Sequence, residues 1–330
     1  MADPTRRRLC TAIATLPLIC TQNSFANQDT NYPSRPIRMV VPYPGGDGTD
    51  VITRLLTKQM SEDLHVPVVV ENRTGAAGLV GAQSVAAASP DGYSICLLVS
   101  GHITHQTLYK QLDLLGKFAP VTNLATAPFA LIVPKDSRYQ TIQDLVTDIQ
   151  KNPGYVTMAT GGLGSPAHMA FELLRSNVEG GLNVNHIPYK SGLESTQAVM
   201  AQQTDFASSY IGSVLPQVEA GKVRVLAVTS AERIPNLPDV PTINETLVPG
   251  WAYNTLLFFA VPRDTPKPII QKLDNEIRRA GNNKELLAML DMLAHRLELS
   301  PSPEALEDTL KVAIQKETEL IAANGITIQK

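Results

Sequence analysis

Residues 40–56 read VVPYPGGDGTDVITRLL. A β-branched apolar run, Val40-Val41, gives way to a Pro-Gly-Gly turn, and from Val51 onward apolar residues recur at helical spacing. Strand, glycine loop and helix is the order in which proteins commonly present backbone N–H groups to an anion. The loop is not a nucleotide P-loop, because the closing Lys-Ser/Thr pair is missing. Asp47 sits among the glycines and carries the wrong sign for an anion-binding turn.

The same alternation continues on both sides of this stretch. IRMVVPY (37–43) and VPVVVEN (66–72) read as strands, and between them Val51, Ile52, Leu55, Leu56, Met60 and Leu64 form one helical stripe. A small-residue helix, GLVGAQSVAAAS (78–89), and a strand, YSICLLVS (93–100), follow. Further strands are expected in YVTMAT (155–160), NVNHIPY (183–189), TDFASSY (204–210) and VRVLAVTS (223–230). Helices are expected in PAHMAFELLRSN (166–177), LESTQAVMAQQ (193–203) and SVLPQVEAG (213–221). Several strands are continuously apolar, as in a mostly parallel, doubly wound sheet covered on both faces.

Two long extended segments, FAPVTNLATAPFALIVP (118–134) and WAYNTLLFFAVP (251–262), have no helix beside them. They flank the middle block and suit a chain that crosses between two lobes and returns. The expected division is one α/β lobe from 31–125 and 253–330, and a second from 126–252. Two helices are expected to end the chain, from Pro268 to about Ala280 and from Pro303 to about Ala323, with Gly325 as the stop signal.

The first residues stand apart. Arg6, Arg7 and Arg8 precede an apolar stretch from Leu9 to about Cys20, and Ser24 and Ala26 are spaced like a small-residue cleavage site. Residues 1–26 therefore read as a secretory signal peptide, and the mature protein is expected in the periplasm. Cys10 and Cys20 would leave with it. Cys96 would then be the sole cysteine, a small core hydrophobe that can form neither an internal disulfide nor a zinc site. With 43% hydrophobic residues, 18% charged residues and a formal net charge of -3, nothing in the composition suggests nucleic acid or an anionic membrane as a partner.

In doubly wound sheets ligands bind beyond the carboxyl ends of the strands, at helix N-termini. The turns in those places are Tyr43 to Asp50, Asn72 to Gly81, Ser100-Gly101-His102, Thr160 to Ser165, Tyr189 to Gly192, and Ser208-Ser209-Tyr210. Glycine and hydroxyl residues dominate, and carboxylates are scarce. One helix N-terminus contributes about 0.3–1 kcal/mol toward an exposed anion, or about 2 when partly buried. Micromolar affinity needs about 8 kcal/mol, so several turns must act on one small ligand. The candidate contacts are Tyr43, Gly46, Asp47, Gly48, Thr49, Asp50, Ser100, Gly101, His102, Thr160, Gly164, Ser165, His168, Tyr189, Ser209 and Tyr210.

Competing chemistries find little support. Gly75, Gly78 and Gly81 are spaced GxxGxxG rather than as a dinucleotide fingerprint, no acidic residue sits at the expected ribose position, and close helix–strand packing is the ordinary reading. His102 and His105 lack a nearby third metal ligand. No GxSxG elbow occurs, and Pro166 removes the N–H that an oxyanion hole after Ser165 would need. A secreted hydrolase using Ser165 and His168 is the alternative to a binding protein. Lys190 is the one lysine in a candidate turn, although an exposed lysine is the ordinary reading.

Eight motifs then come in one order: YPSRPIRMVVPYPGGDGTDVITRLL, VPVVVENRTGAAGLVGAQSVA, SPDGYSICL, FAPVTNLA, ATGGLGSPAHMAFELL, HIPYKSG, AGKVRVLAVTSAERIPNLPDVPTINE and VPRDTPKPIIQKL. This series closely resembles the solute receptors of tripartite tricarboxylate transporters, the Bug or TctC family, over nearly all of the expected mature chain. The resemblance implies a two-lobed periplasmic-binding-protein fold that closes over a small organic acid or amino-acid-like ligand without chemistry or cofactor. It also implies delivery to a membrane permease, and a monomer is the plain expectation. In the family the ligand carboxylate is held by N–H groups, hydroxyls and waters from loops matching Tyr43–Asp50 and Thr160–Ser165 and those around Ser100, Tyr189 and Ser209. Two positions depart from the pattern. Asp47 replaces a usual glycine, and Ser209 stands where aspartate is frequent. Asp47 either faces the cleft, where it would repel a second anion or bind an ammonium, or occupies a left-handed turn position and points to solvent.

Overall fold

A computed structural model describes residues 32–327. The signal-peptide reading of residues 1–26, with Cys10 and Cys20, lies outside the described residues. Among the described residues ten strands are formed: β1 (Ile37–Val41), β2 (Val68–Asn72), β3 (Ser94–Val99), β4 (Phe118–Pro134), β5 (Thr157–Thr160), β6 (Asn185–Pro188), β7 (Phe206–Tyr210), β8 (Val223–Val228), β9 (Asn254–Pro262) and β10 (Arg296–Leu297). The helices of the first part are α1 (Gly48–Leu64), α2 (Leu79–Ala86), α3 (Gly101–Thr107), α4 (Leu114–Lys117), α5 (Ile142–Lys151) and α6 (Pro166–Asn177). Those of the second are α7 (Gly192–Met200), α8 (Ile211–Glu219), α9 (Ile243–Thr246), α10 (Lys267–Gly281), α11 (Lys284–Met292) and α12 (Pro303–Asn324).

The sheet order is β2-β1-β3-β9-β4-β7-β5-β6, with β8 and β10 also paired to β4. Strands β1, β2 and β3 run parallel to one another, as do β5, β6 and β7. Between these two parallel blocks runs β4, whose 17 residues span roughly 56 Å at about 3.3 Å per residue. Residues 118–128 of β4 pair antiparallel with β9, and residues 129–134 pair antiparallel with β7 and β8. One strand is thus shared by both halves of a two-lobed α/β fold. The return is made by the segment before β9: Trp251 is buried in the core of the β5–β7 half, and Phe258 in the core of the β1–β3 half.

Alternation along the strands shows why both faces of the second half are covered. Leu131, Met158 and Phe206 point into one core with Phe171 and Trp251. Their neighbours Ala130, Ala159 and Ala207 point into another with Val199, Val214 and Val228. Burying one such Phe or Leu fully stabilises by about 1.5–3 kcal/mol relative to exposure, so these layers hold the loops above them in fixed places. In the first half, Val40, Cys96, Leu98 and Phe258 pack with Leu306 and Leu310 of α12. Cys96 is a buried free thiol, as its strand context suggests.

Local signals set the helix ends. Ser165 caps α6 with Pro166 at its first turn, and Ser302 caps α12 with Pro303 at its first turn and Gly325 as a left-handed C-cap. Thr141 and Asp144 form a capping box at α5. The two-helix expectation for the C-terminal part is corrected: α11 stands between α10 and α12, capped by Asn283. After it β10 adds two residues to β4. The expected turn Ser100-Gly101-His102 is the start of a short helix, α3, rather than a simple turn.

Candidate functional site

The β1–α1 turn is built around Asp50. The Gly46 N–H, Arg54 Nε and Asn72 Nδ2 all donate to its carboxylate at 2.8 Å. Asn72 Nδ2 also donates to the Tyr43 carbonyl at 3.0 Å. Burial opposes the ionised form, but Arg54, the Gly46 N–H and Asn72 outweigh it, and the Asp50 pKa falls below the usual carboxylate value. Asp50 thus braces the loop from inside, and its oxygens are already engaged. The left-handed backbone belongs to Gly46, at φ +84°.

Asp47 does not take the left-handed position considered for it. It is the N-cap of α1, with extended φ −63° and ψ 155°. Its Oδ1 accepts from Thr49 N at 2.9 Å and from Thr49 Oγ1 at 2.7 Å. The side chain is nonetheless exposed, and its charge reaches two tyrosines and a histidine. Burial raises the phenol pKa values of Tyr43 and Tyr210, and Asp47 adds to both shifts. Burial lowers the His295 pKa to about 4, against the opposing pull of the Leu293 backbone and of Asp47.

The β3–α3 junction is internally bonded. Ser100 Oγ accepts from the Leu256 N–H at 2.9 Å and ties β3 to β9. His102 is fully buried, with Nδ1 3.2 Å from both the Val99 N and O, and its ring meets Tyr43 edge-on at 6.5 Å. Burial first, then His105, lowers its pKa to about 4. A Cβ placed on Gly78 would come within 3.0 Å of His102 Nε2, and one on Gly81 within 2.7 Å of Arg73 O and Pro42 Cβ. The GxxGxxG glycines therefore serve close packing.

The loops of the second half face this group. A Cβ on Gly101 would lie 3.3 Å from Pro166 Cγ, and one on Gly164 2.7 Å from Leu108 Cδ2. The Tyr109 hydroxyl donates to the Leu163 carbonyl at 2.5 Å. Ser165 Oγ accepts from the His168 N–H at 3.3 Å, while His168 Nδ1 accepts from the Gly164 N–H at 3.1 Å. The His168 ring stacks on His186 at 4.2 Å and lies 3.7 Å from Glu172 Oε1 through Nε2. Burial, then His186 and Arg175, push its pKa down to about 3. Ser165 Oγ and His168 Nδ1 thus each take a backbone N–H, and no Ser165–His168 side-chain hydrogen bond exists among the described residues. In this geometry Ser165 and His168 do not form a nucleophile–base pair.

Other candidate hydroxyls are also engaged. Thr160 Oγ1 lies 2.7 Å from His186 Nε2, and Ser209 Oγ lies 3.4 Å from Ser195 Oγ and 3.3 Å from Thr196 Oγ1. Tyr189 is partly exposed, and its N–H donates to the Thr160 carbonyl at 2.9 Å. Lys190 is exposed, and its backbone N–H rather than its ammonium is engaged, donating to Glu194. Tyr210 is partly exposed, and its hydroxyl lies 2.8 Å from His295 Nε2.

The structure therefore divides the candidates. Asp50, His102, His168, and the hydroxyls of Ser100, Thr160 and Ser209 are turned into the framework that shapes the turns. Tyr43, Asp47, Thr49, Ser165, Tyr189 and Tyr210 keep part of their surface exposed, beside Gly46, Gly48 and Gly101. Gly164 is buried against α3. Two residues enter that were not anticipated. Leu293 lies 3.3 Å from a Cβ placed on Gly48, and its carbonyl 3.3 Å from one on Gly212. His295 follows it. The only sequence signal for them was Asn283 ahead of KELLAMLDM, which marks the helix that delivers them.

Residues 52–323 match the profile of the tripartite tricarboxylate transporter family receptor. A protein encoded in the tcbD-tcbE intergenic region of Pseudomonas sp. strain P51 is 34% identical over 326 residues, 97% of this chain and 95% of that one. Among solved structures, the periplasmic binding protein BugD is 32% identical at a TM-score of 0.75, over 90% of this chain and 100% of its own. An R. palustris protein solved with adipate is 27% identical at a TM-score of 0.78, over 90% of this chain and 99% of its own.

Proposed function

The chain belongs to the tripartite tricarboxylate transporter receptor family, and from that premise we propose that it is a periplasmic receptor for a small carboxylate-bearing solute. It works by binding, as its relatives are solute-binding proteins and not enzymes. The lobes are 31–125 with 253–330, and 126–252. The ligand sits between them, where the turns after β1 and β3 meet those after β5 and β7. Release goes to a membrane permease of the tripartite type. Among the described residues no helix is long and apolar enough to cross a membrane.

The observation that carries this reading is the approach of Gly101 to Pro166, within 3.3 Å of an added Cβ. It brings the start of α3 and the start of α6 together from opposite halves of the sheet. Helix N-termini, each worth about 0.3–2 kcal/mol toward an anion, then act jointly on one small ligand. Thermal denaturation with a panel of mono- and dicarboxylates, aromatic acids and amino acids tests it. At least one compound should raise the Tm in proportion to the logarithm of its concentration and be recovered unchanged. Turnover of a stabilising compound would end the receptor reading.

A further inference from the structure

Five helices begin at the turns that face the cleft: α1, α3, α6, α7 and α8. Asp47, Ser165 and Ser191 cap α1, α6 and α7, whereas α3 and α8 have no side-chain cap. Only one of these caps is charged. The Asp47 carboxylate takes the Thr49 N–H and Oγ1 at the head of α1, and so fills with the chain's own anion the place where a ligand carboxylate would otherwise be received. The turn is held there by the Asp50 knot, through the Gly46 N–H.

The surroundings of Asp47 continue the same chemistry. Gly48, its neighbour, approaches Leu293, and Leu293 O in turn approaches Gly212, beside Tyr210. Asp47, Tyr210 and His295 therefore share one corner. The Tyr210 hydroxyl lies 2.8 Å from His295 Nε2 and 3.2 Å from Nδ1, so it is held by that ring. The Tyr210 hydroxyl, engaged by His295, keeps an oxygen lone pair for a ligand. The corner presents the Asp47 carboxylate and the Tyr210 oxygen side by side.

We infer that Asp47 is a specificity-determining residue, and that the receptor takes a ligand with one carboxylate and a cationic or hydrogen-bond-donating far end, rejecting a second carboxylate. This rests on the receptor reading above and narrows it. The single carboxylate is left to the turns that carry no charged cap, and the ammonium or other donor faces Asp47 and Tyr210. A second carboxylate would meet like charge there, the repulsive element that discriminates between otherwise similar ligands.

Two ligand pairs matched in length test this by isothermal titration calorimetry: adipate against 6-aminohexanoate, and terephthalate against 4-(aminomethyl)benzoate. The wild-type protein should bind the amino member of at least one pair about tenfold or more tightly, a difference of roughly 1.4 kcal/mol. Asp47→Asn keeps a capping oxygen and removes the charge, and it should abolish or reverse that preference. Asp47→Ser does the same with a different cap, guarding against a variant that folds poorly. Preference of the wild-type protein for a diacid would overturn this inference and leave the receptor reading standing. The inference also falls if the preference survives unchanged in both variants. Absence of binding to all four compounds would overturn this inference, while the receptor reading would still be judged on the wider panel.

Discussion

The Tyr210 hydroxyl lies 2.8 Å from His295 Nε2, joining residues 85 apart in the chain. Tyr210 ends β7, and His295 sits between α11 and β10, on the strand pairing that reaches β4. The contact fastens the second half of the sheet to the C-terminal helices at the edge of the cleft. It also holds the phenol within reach of the Asp47 charge.

Tyr210→Phe removes the donor and leaves a buried imidazole nitrogen unpaired. Loss of a buried hydrogen bond with a stranded partner costs about 1–3 kcal/mol. Urea denaturation should show a loss in that range with the m-value unchanged. A change below about 0.5 kcal/mol would mean that the pair is incidental.

Acid should destabilise the protein before most carboxylates titrate. Burial holds His102, His186 and His295 down to about 4 and His168 down to about 3. Below about pH 6.5 the unfolded chain takes up protons that the native state refuses until about pH 4, so stability rises with pH across that window. Each histidine adds up to about 1.4 kcal/mol per pH unit. Glu172 and Glu317, raised by burial, work in the opposite sense and soften the slope at its acid end. Urea midpoints should fall steadily from pH 7 to pH 5, and His168→Gln should flatten the curve. A flat wild-type profile would contradict the buried neutral state of these rings.

Glycine substitutions separate space from backbone conformation. Gly46 has φ +84° and nothing within 4 Å of an added Cβ, so Gly46→Ala should cost only about 1–2 kcal/mol for the left-handed backbone. Gly164 combines φ +69° with a Cβ contact of 2.7 Å to Leu108 Cδ2, and Gly164→Ala should cost more, by about 1–3 kcal/mol of overpacking. Equal losses for the two variants, measured by chemical denaturation, would reject the close approach of α3 to the β5–α6 turn.

Asp50→Asn removes a charge that holds the Gly46 N–H, Arg54 and Asn72 together. The fold should survive with a loss of about 1–3 kcal/mol, because Arg54 can turn to solvent. Ligand-induced stabilisation should fall much further, since the first turn loses its shape. Retention of full ligand-induced stabilisation would show that this turn does not contribute to binding.

Local chemistry was readable from the sequence wherever it is written in neighbouring residues. The segment 118–134 was marked as one extended element and is β4, end to end. PAHMAFELLRSN is α6, with Ser165 and Pro166 announcing it. Caps and periodicities act over three or four residues, so they survive without any knowledge of the fold. The helix α11 escaped because it is short and follows α10 after only two residues, so its apolar positions blend with those around it. The loss of α11 hid Leu293 and His295 as well.

The sequence by itself determined the alternating α/β plan, the crossing strand, the family and the set of turns that could meet a ligand. Tertiary structure decided which side chains in those turns are free. His168, Asp50 and Ser209 have the right chemistry for a ligand, yet their polar atoms are claimed by Gly164, by Gly46 and Asn72, and by Ser195 and Thr196. A hydrogen-bonding group can be spent only once, and the competitors for it become visible when distant segments are brought together. Asp47 shows both sides of that division. Its place before a helix was legible in GGDGTD, but only the packing of Gly48 on Leu293 shows that its charge shares a corner with Tyr210 and His295.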